Sequence, residues 1–382
     1  MKKICFVTTI SLTLKTFVLE AAKYLHGTGE YEITFICNGD GQFREELPPY
    51  IRLIPVDMKR GISLGGVGAM LKMRRIFRKE KFDLVQYSTP NASCYAAIAA
   101  WLAHVPVRLY CQWGIAYVGF SGMKRRIFKQ IEKMVCYLST RVEPDSYGNL
   151  KFSVSEGLYR EDKGRVILNG SACGVSLLKF DVTKKQDYRR AIRDKYKIPA
   201  DAFVFGFVGR ITRDKGINEL FQAAKRVMEA NEQVYLMMVG GTEQDSSVNE
   251  ALFQWAKQHE HVIFCGHTHV VEQYISAMDC FVLPSYREGF GMSVVEAEVM
   301  GLPVIVTDIP GPTDAMIPDK TGLVVEQKNP EALGKAMECL LSDPDLGRSF
   351  GEAGRTFAAE RFEQQMLFRA IDEDRRELMG LH

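Results

Sequence analysis

Ser285-Tyr-Arg-Glu288-Gly-Phe-Gly-Met-Ser-Val-Val-Glu296-Ala-Glu-Val-Met-Gly-Leu-Pro303 decides how this 382-residue chain folds. The apolar run Cys280–Leu283 stands before it and a helical pattern starts near Met292, so the order is strand, glycine-bounded loop, helix. Gly289 and Gly291 let backbone amides approach a ligand closely. The helix start adds about half a positive charge, which makes an anion site at the carboxyl end of a strand. Glu296 falls one turn into an otherwise apolar helix, where an unpaired carboxylate costs several kcal/mol. Two ribose hydroxyls would satisfy it, since a carboxylate accepts two O–H bonds at once. Glu288 stands before the helix, in reach of sugar hydroxyls. Taken alone, the same residues also read as a surface glutamate and a helix-capping one.

Upstream, Phe203–Val208 is a buried strand followed by Gly209-Arg-Ile-Thr-Arg-Asp-Lys-Gly216 and a helix from Ile217 to about Ala230. Arg210 and Lys215 on that loop can neutralise a diphosphate, one as a fork and one as a point charge. Two solvated loop cations are the alternative. Further strands follow at Val234–Val239, which ends in Gly240-Gly241, and at Val262–Cys265, Cys280–Leu283 and Pro303–Thr307. The first half repeats the alternation: strands at Ile4–Thr8, Glu32–Cys37, Ile51–Pro55, Leu84–Tyr87 and Val107–Gln112, with helical patterns at Leu14–Leu25, Val67–Lys79, Ala92–Ala103 and Gly122–Thr140. The fold class is therefore α/β, with two Rossmann-like domains. The first spans 1–182, and the second, which opens on the charged helix Tyr188–Tyr196, spans 183–363.

Composition agrees with two globular domains: 46% apolar residues, 25% charged and a mean hydropathy of −0.11. That mixture excludes a disordered chain and a small disulfide scaffold. No apolar run is long enough to span a bilayer, and Met1–Val7 reads as a first strand rather than a leader, because no small-residue cleavage site follows. Nine scattered cysteines without a C-x-x-C pair fit free thiols in a cytoplasmic protein. The net charge of +2 hides an asymmetry: residues 1–180 carry +11 and the remainder −9. The cations cluster at Lys72, Arg74, Arg75, Arg78, Lys79 and Lys81, and at Lys124, Arg125, Arg126, Lys129 and Lys133. In the second cluster Ile127, Phe128, Ile131 and Met134 recur at helical spacing, a pattern suited either to an anionic membrane surface or to a plain solvated face. No aromatic platform is interleaved with the cations, which argues against nucleic acid.

Glu288-Gly-Phe-Gly with Val294-Val-Glu296-Ala, the E-x7-E frame, together with Val208-Gly-Arg, Lys215-Gly and Pro303-Val-Ile-Val-Thr-Asp, resembles glycosyltransferase family 4. The motifs lie within 203–330, and the βα alternation extends the likeness over the chain. The resemblance implies the GT-B fold, two Rossmann-like domains facing an interdomain cleft, with a C-terminal helix near 364–382 returning to the first domain. It implies a retaining transferase of hexosyl or N-acetylhexosaminyl groups, with a nucleotide sugar, UDP-linked, as donor. No further cofactor and no dedicated metal site are implied. Arg210 and Lys215 would hold the diphosphate, Glu296 the ribose, and Glu288 with the amides of Gly289, Phe290, Gly291 and Met292 the donor sugar. Gly209, Gly241 and the loop after Gly266 would border the donor and its uracil. Ile309-Pro-Gly-Pro-Thr-Asp314 and Asn169-Gly-Ser resemble members that assemble bacterial surface polysaccharide, so the acceptor would be a glycan, undecaprenyl-linked, met at the inner membrane face.

The first half departs from that family. Thr8-Thr-Ile-Ser-Leu-Thr13 replaces a Gly-rich loop, and Gln112-Trp113-Gly114 replaces the usual His-Gly. Gln112 or Trp113 then becomes the candidate contact to the donor sugar. Two other readings stay open: a GT-B nucleotide-sugar 2-epimerase and a non-catalytic nucleotide-sugar-binding module. His267-Thr-His269, two ligands at i,i+2 without a ligand set around them, reads as a loop pair rather than a metal pair, and Asp343-Pro-Asp345 and Asp372-Glu-Asp374 lie in helical territory.

Overall fold

The computed structural model describes residues 1–58, 64–243 and 247–381. Its chain divides into two units, 1–174 with 364–382 and 175–363. The first holds β1 (Lys2–Val7), β2 (Tyr31–Cys37), β3 (Ile51–Pro55), β4 (Leu84–Tyr87), β5 (Val107–Gln112) and β6 (Arg141–Pro144). The second holds β7 (Phe203–Val208), β8 (Val234–Val239), β9 (Val262–Gly266), β10 (Cys280–Leu283), β11 (Val304–Thr307) and β12 (Gly322–Val325). Pairing is parallel throughout both sheets, in the orders β3-β2-β1-β4-β5-β6 and β12-β11-β10-β7-β8-β9. These are one topology used twice. Each reverses direction beside its first strand, and a crevice opens there at the carboxyl ends.

The central strands are nearly continuous runs of β-branched and aromatic residues because helices cover both faces. Phe205, Phe207, Phe281 and Val282 are fully buried in the second sheet, and Ile4, Cys5 and Phe35 in the first. Five of the nine thiols are buried, and Cys339 is exposed.

Three sequence expectations need correction. The helix expected at Leu14–Leu25 is two, Ser11–Phe17 and Leu19–Gly27, joined at Val18, where φ is −118°. The outer strands β6 and β12 are four residues each, and only β12, Gly-Leu-Val-Val, is an apolar run, too short to stand out. In β6, Arg141 and Glu143 alternate with Val142, and Pro144 closes an edge that needs no further donor. The division between the units falls at Gly174/Val175 instead of 182/183. Val175 donates to the Phe362 carbonyl (2.7 Å), and both Val175 and Phe180 are buried in the second core.

The final helix, Gln364–Met379, packs in the first unit, burying Leu367, Phe368 and Ile371 against the β1–β2 side. Arg375, 1% exposed, reaches Glu143 (2.6 Å), Asp374 (2.5 Å) and the Gln86 side-chain oxygen (3.1 Å).

Candidate functional site

β7 and β10 are hydrogen-bonded neighbours, so the loop 209–216 and the loop 284–291 leave the second sheet side by side at its reversal point. Gly216 closes the first loop at φ +70°, and a Cβ there would lie 1.9 Å from the Pro284 carbonyl oxygen. Only glycine permits this approach. Gly311, at φ +101°, presses in the same way on the Gly289 carbonyl (2.2 Å from a built Cβ), which fixes the third loop against the second.

This packing brings together residues that lie far apart in sequence. Lys215 Nζ lies 2.6 Å from Glu288 Oε1, and both side chains are largely buried. Ser285 Oγ donates to the same oxygen (2.7 Å), while its own carbonyl accepts from Thr307 Oγ1 (2.5 Å). The residue expected on a diphosphate and the one expected on a sugar are thus ion-paired. Arg210 donates to Glu243 Oε1 (2.9 Å) and stands 3.9 Å from Asp214, which also takes Arg287 (3.0 Å). Three cations thus face three carboxylates. Burial pushes Asp214 up, but the Thr212 hydroxyl and the Arg287, Arg210 and Lys215 charges outweigh it and hold the carboxyl low.

Glu296 lies on the helix Met292–Val299, whose cap residue Gly291 sits at φ +89° and offers no side chain to the first turn. Its carboxylate makes no hydrogen bond or ion pair among the described residues. Burial pushes its pKa up to about 7, opposed by Lys179 and reinforced by Glu272. Lys179 itself lies 3.8 Å from Glu272.

The other expected residues divide by what remains free. The Phe290 ring packs on Phe362 at 5.1 Å and is 3% exposed, so its side chain is not available to a ligand. The Gly209 amide is taken by the Val239 carbonyl (2.9 Å). Gly241 has open space where a side chain would stand. Trp113 belongs to the first unit, at the end of β5, with its ring 5.5 Å from Phe17.

Gln112 is not available to a ligand. It is fully buried, donates to Glu132 (2.6 Å), and accepts from Ser153 (2.9 Å) and Tyr159 (3.2 Å). Among the described residues no three His, Cys, Asp or Glu are grouped to hold a metal ion. Asp343 caps the helix Pro344–Phe362, and Asp372 accepts from Tyr31 (2.7 Å). The sequence reading missed Ser285, Asp214 and Glu243. Thr212-x-Asp214 was the one local sign, a hydroxyl two residues before the carboxylate it bonds (2.6 Å).

Comparison with known proteins agrees with this architecture. Residues 3–146 match the family model "Glycosyl transferase 4-like" and residues 188–357 match "Glycosyl transferases group 1". The capsular polysaccharide biosynthesis glycosyltransferase CapM of Staphylococcus aureus is 30% identical over 341 residues, 88% of each chain. An Escherichia coli UDP-Gal:alpha-D-GlcNAc-diphosphoundecaprenol alpha-1,3-galactosyltransferase is 26% identical, over 83% of this chain and 82% of that one. The crystal structure of Anabaena HepE with UDP and glucose superposes with a TM-score of 0.80 at 19% identity, covering 99% of this chain and all of that one. The fold is that of the GT-B class. The chain belongs to the glycosyltransferases of family 4 type, and it is an enzyme of that kind.

Proposed function

We propose that this chain is a retaining glycosyltransferase that moves a hexosyl or N-acetylhexosaminyl group from a UDP-sugar to an undecaprenyl-linked glycan during surface polysaccharide synthesis. The observation that carries it is the convergence of Lys215, Arg210, Glu288 and a side-chain-free helix start at one reversal point. The names of the capsular and diphosphoundecaprenol-linked relatives support the choice of acceptor and process.

Arg210 and Lys215 take the diphosphate, a role that asks for no metal fixed by the protein. Lys215, given a phosphate partner, releases Glu288 to accept from donor-sugar hydroxyls, beside the amides of 289–292. Glu296 accepts from the ribose hydroxyls, and Gly241 with the loop after Gly266 borders the uracil. Trp113 is the first unit's contact to the donor sugar. As the C1–O bond to the diphosphate breaks, the sugar gains oxocarbenium character, and Arg210, Lys215 and the helix start stabilise the departing charge. The acceptor hydroxyl attacks the same face, and its proton passes to the leaving phosphate oxygen, so no protein base is required. The missing His-Gly after β5 is consistent with that scheme.

The first unit supplies the acceptor side. Its basic helices Leu64–Glu80 and Gly122–Leu138 both pack on Pro90–Leu102, which places them on one face of the first sheet. Met123, Ile127 and Tyr137 are exposed among the cations, and an anionic bilayer is the surface that fits. Among the described residues no helix is long and apolar enough to cross a membrane. The inner membrane face, reached from the cytoplasm, is the place of work this implies.

The test is turnover with a panel of UDP- and GDP-sugars, with and without an undecaprenyl-diphosphate glycan, in the presence of EDTA. Transfer from a UDP-sugar with the donor's anomeric configuration kept is expected. An inverted product would remove the retaining assignment, a GDP preference the uracil, and transfer only to soluble glycans the lipid acceptor.

A further inference from the structure

A cavity of about 600 Å³ opens in the first unit at the amino end of β6, away from the carboxyl-end crevice. Four cations line it, Lys133, Arg141, Arg160 and Lys163, against one carboxylate, Asp162. That carboxylate is already held by Arg160 (2.9 Å), and the Asp162 carbonyl accepts from Arg141 (3.0 Å). Lys163 donates to the Tyr137 carbonyl (3.0 Å), and burial pulls its pKa down, with Arg108 among the contributing charges. Lys133 has no carboxylate partner among the described residues.

Several other cations of this unit do have carboxylate partners. Arg125 and Lys129 meet Glu156, Arg52 meets Glu80, and Arg165 meets Glu377. The cavity of about 680 Å³ in the second unit sets Lys185, Arg348 and Arg355 against Glu352 and Glu360. Capping of helix carbonyls accounts for Lys163 and for Arg108, which donates to the Leu138 carbonyl (2.8 Å). Arg141 and Arg160 share the single residue Asp162 and Lys133 has no carboxylate, so positive charge stays in excess. Unbalanced positive charge in a concavity is built for an anion. The volume falls in the ~300–1,000 Å³ range of small-molecule sites and exceeds what bare phosphate fills. Tyr137 and Tyr159 supply aromatic walls for the group esterified to it.

We propose that this cavity binds an organophosphate, a phosphate ester held by Lys133, Arg141, Arg160 and Lys163. Its source is either a soluble phosphorylated metabolite or the headgroup of an anionic lipid.

Amide hydrogen exchange locates the binding. The full chain is compared with and without inorganic phosphate, glycerol 3-phosphate, phosphatidylcholine vesicles, and phosphatidylcholine vesicles containing phosphatidylglycerol. Slowed exchange over 136–141 and 158–164 is expected with glycerol 3-phosphate, and more weakly with inorganic phosphate. Replacing Lys133→Ser and Arg160→Ser, both exposed side chains, is expected to weaken binding at least about tenfold. Lys133→Arg with Arg160→Lys is expected to keep it, which separates lost charge from lost fold. Protection by soluble phosphates alone identifies a metabolite site. Protection by the phosphatidylglycerol vesicles and not by phosphatidylcholine alone identifies a headgroup site. No protection of these segments by any of the probes, or protection unchanged in the Ser variants, overturns the proposal. Donor turnover reports on the second unit separately, so either conclusion can fail without the other.

Discussion

Glu296 and Glu298 stand two positions apart on one helix, and burial pushes both carboxyls up, to about 7 and about 9. They differ in what can relieve them. Glu296 is partly exposed and open to a ligand. If its ionised form accepts the ribose hydroxyls, UDP binding expels a proton near neutrality. UDP affinity is then expected to fall about tenfold per pH unit below 7, and Glu296→Gln to abolish the dependence. Calorimetry in two buffers of different ionisation enthalpy measures the released proton; none released would sink the ribose role. Glu298 is fully buried, and neither oxygen has a partner in hydrogen-bonding geometry, although the Thr321 hydroxyl partly opposes the shift. Its folded pKa exceeds the unfolded 4.5. Its contribution to stability is therefore highest below pH 4.5 and declines as pH rises toward 9. Glu298→Met, similar in volume, is expected to stabilise the fold by roughly 1–3 kcal/mol at neutral pH and to flatten that decline. Urea melts across pH check it.

The Lys215–Glu288 pair is a third case at this scale. Lys215→Met is expected to lower kcat about 10²-fold, and Glu288→Gln to lower kcat while sparing UDP affinity. Because either single change leaves a largely buried charge alone, the double variant should lose less than the product of the singles. Strict additivity in the cycle would mean the two act independently. The E-x7-E frame was legible in the sequence because one loop and one helix fix it. The pairing was not, since 73 residues separate the partners and only the adjacency of β7 and β10 joins them.

Among the elements, the helix Gln364–Met379 depends most on a single side chain. Arg375→Met removes one member of a buried cluster, leaving Glu143 without its cation and Asp374 with Arg165 alone (3.3 Å), a loss of about 3–5 kcal/mol. Urea unfolding followed by Trp101 and Trp113 should report it, while Trp255 in the second unit reports little. Equal shifts at both sets of probes would show that the helix stabilises more than the first unit. The central strands were readable from their apolar runs, and Gly122–Leu138 from its amphipathic spacing. β6 was hidden because Glu143 looks solvated until Arg375 arrives from 232 residues away. Gln112 was misjudged for the same reason: its strand-end position suggested a ligand contact, while Glu132, Ser153 and Tyr159 consume its amide.

At the scale of the whole molecule, the charge asymmetry becomes a surface. Arg125 and Lys129 are held by Glu156, so Lys124, Arg126 and Lys133 are the cations left to meet a bilayer beside Met123 and Ile127. Each contributes about 1 kcal/mol near anionic lipid. Sedimentation with phosphatidylglycerol-containing vesicles is expected at low salt, to drop at high salt, and to weaken on Lys124→Ser with Arg126→Ser. Equal sedimentation with neutral vesicles would point to a soluble acceptor.

The return of residues 364–382 to the first unit has a consequence for how the chain is made. A ribosome releases 175–363 as one uninterrupted segment, complete as soon as it clears the exit tunnel. The unit begun first must wait for residues 364–382, which bring Leu367, Phe368, Ile371 and Arg375. Biogenesis thus runs against the order of synthesis, and the amino-terminal unit stays unfinished, the apolar surface under Leu367, Phe368 and Ile371 uncovered, until residues 364–382 have been made.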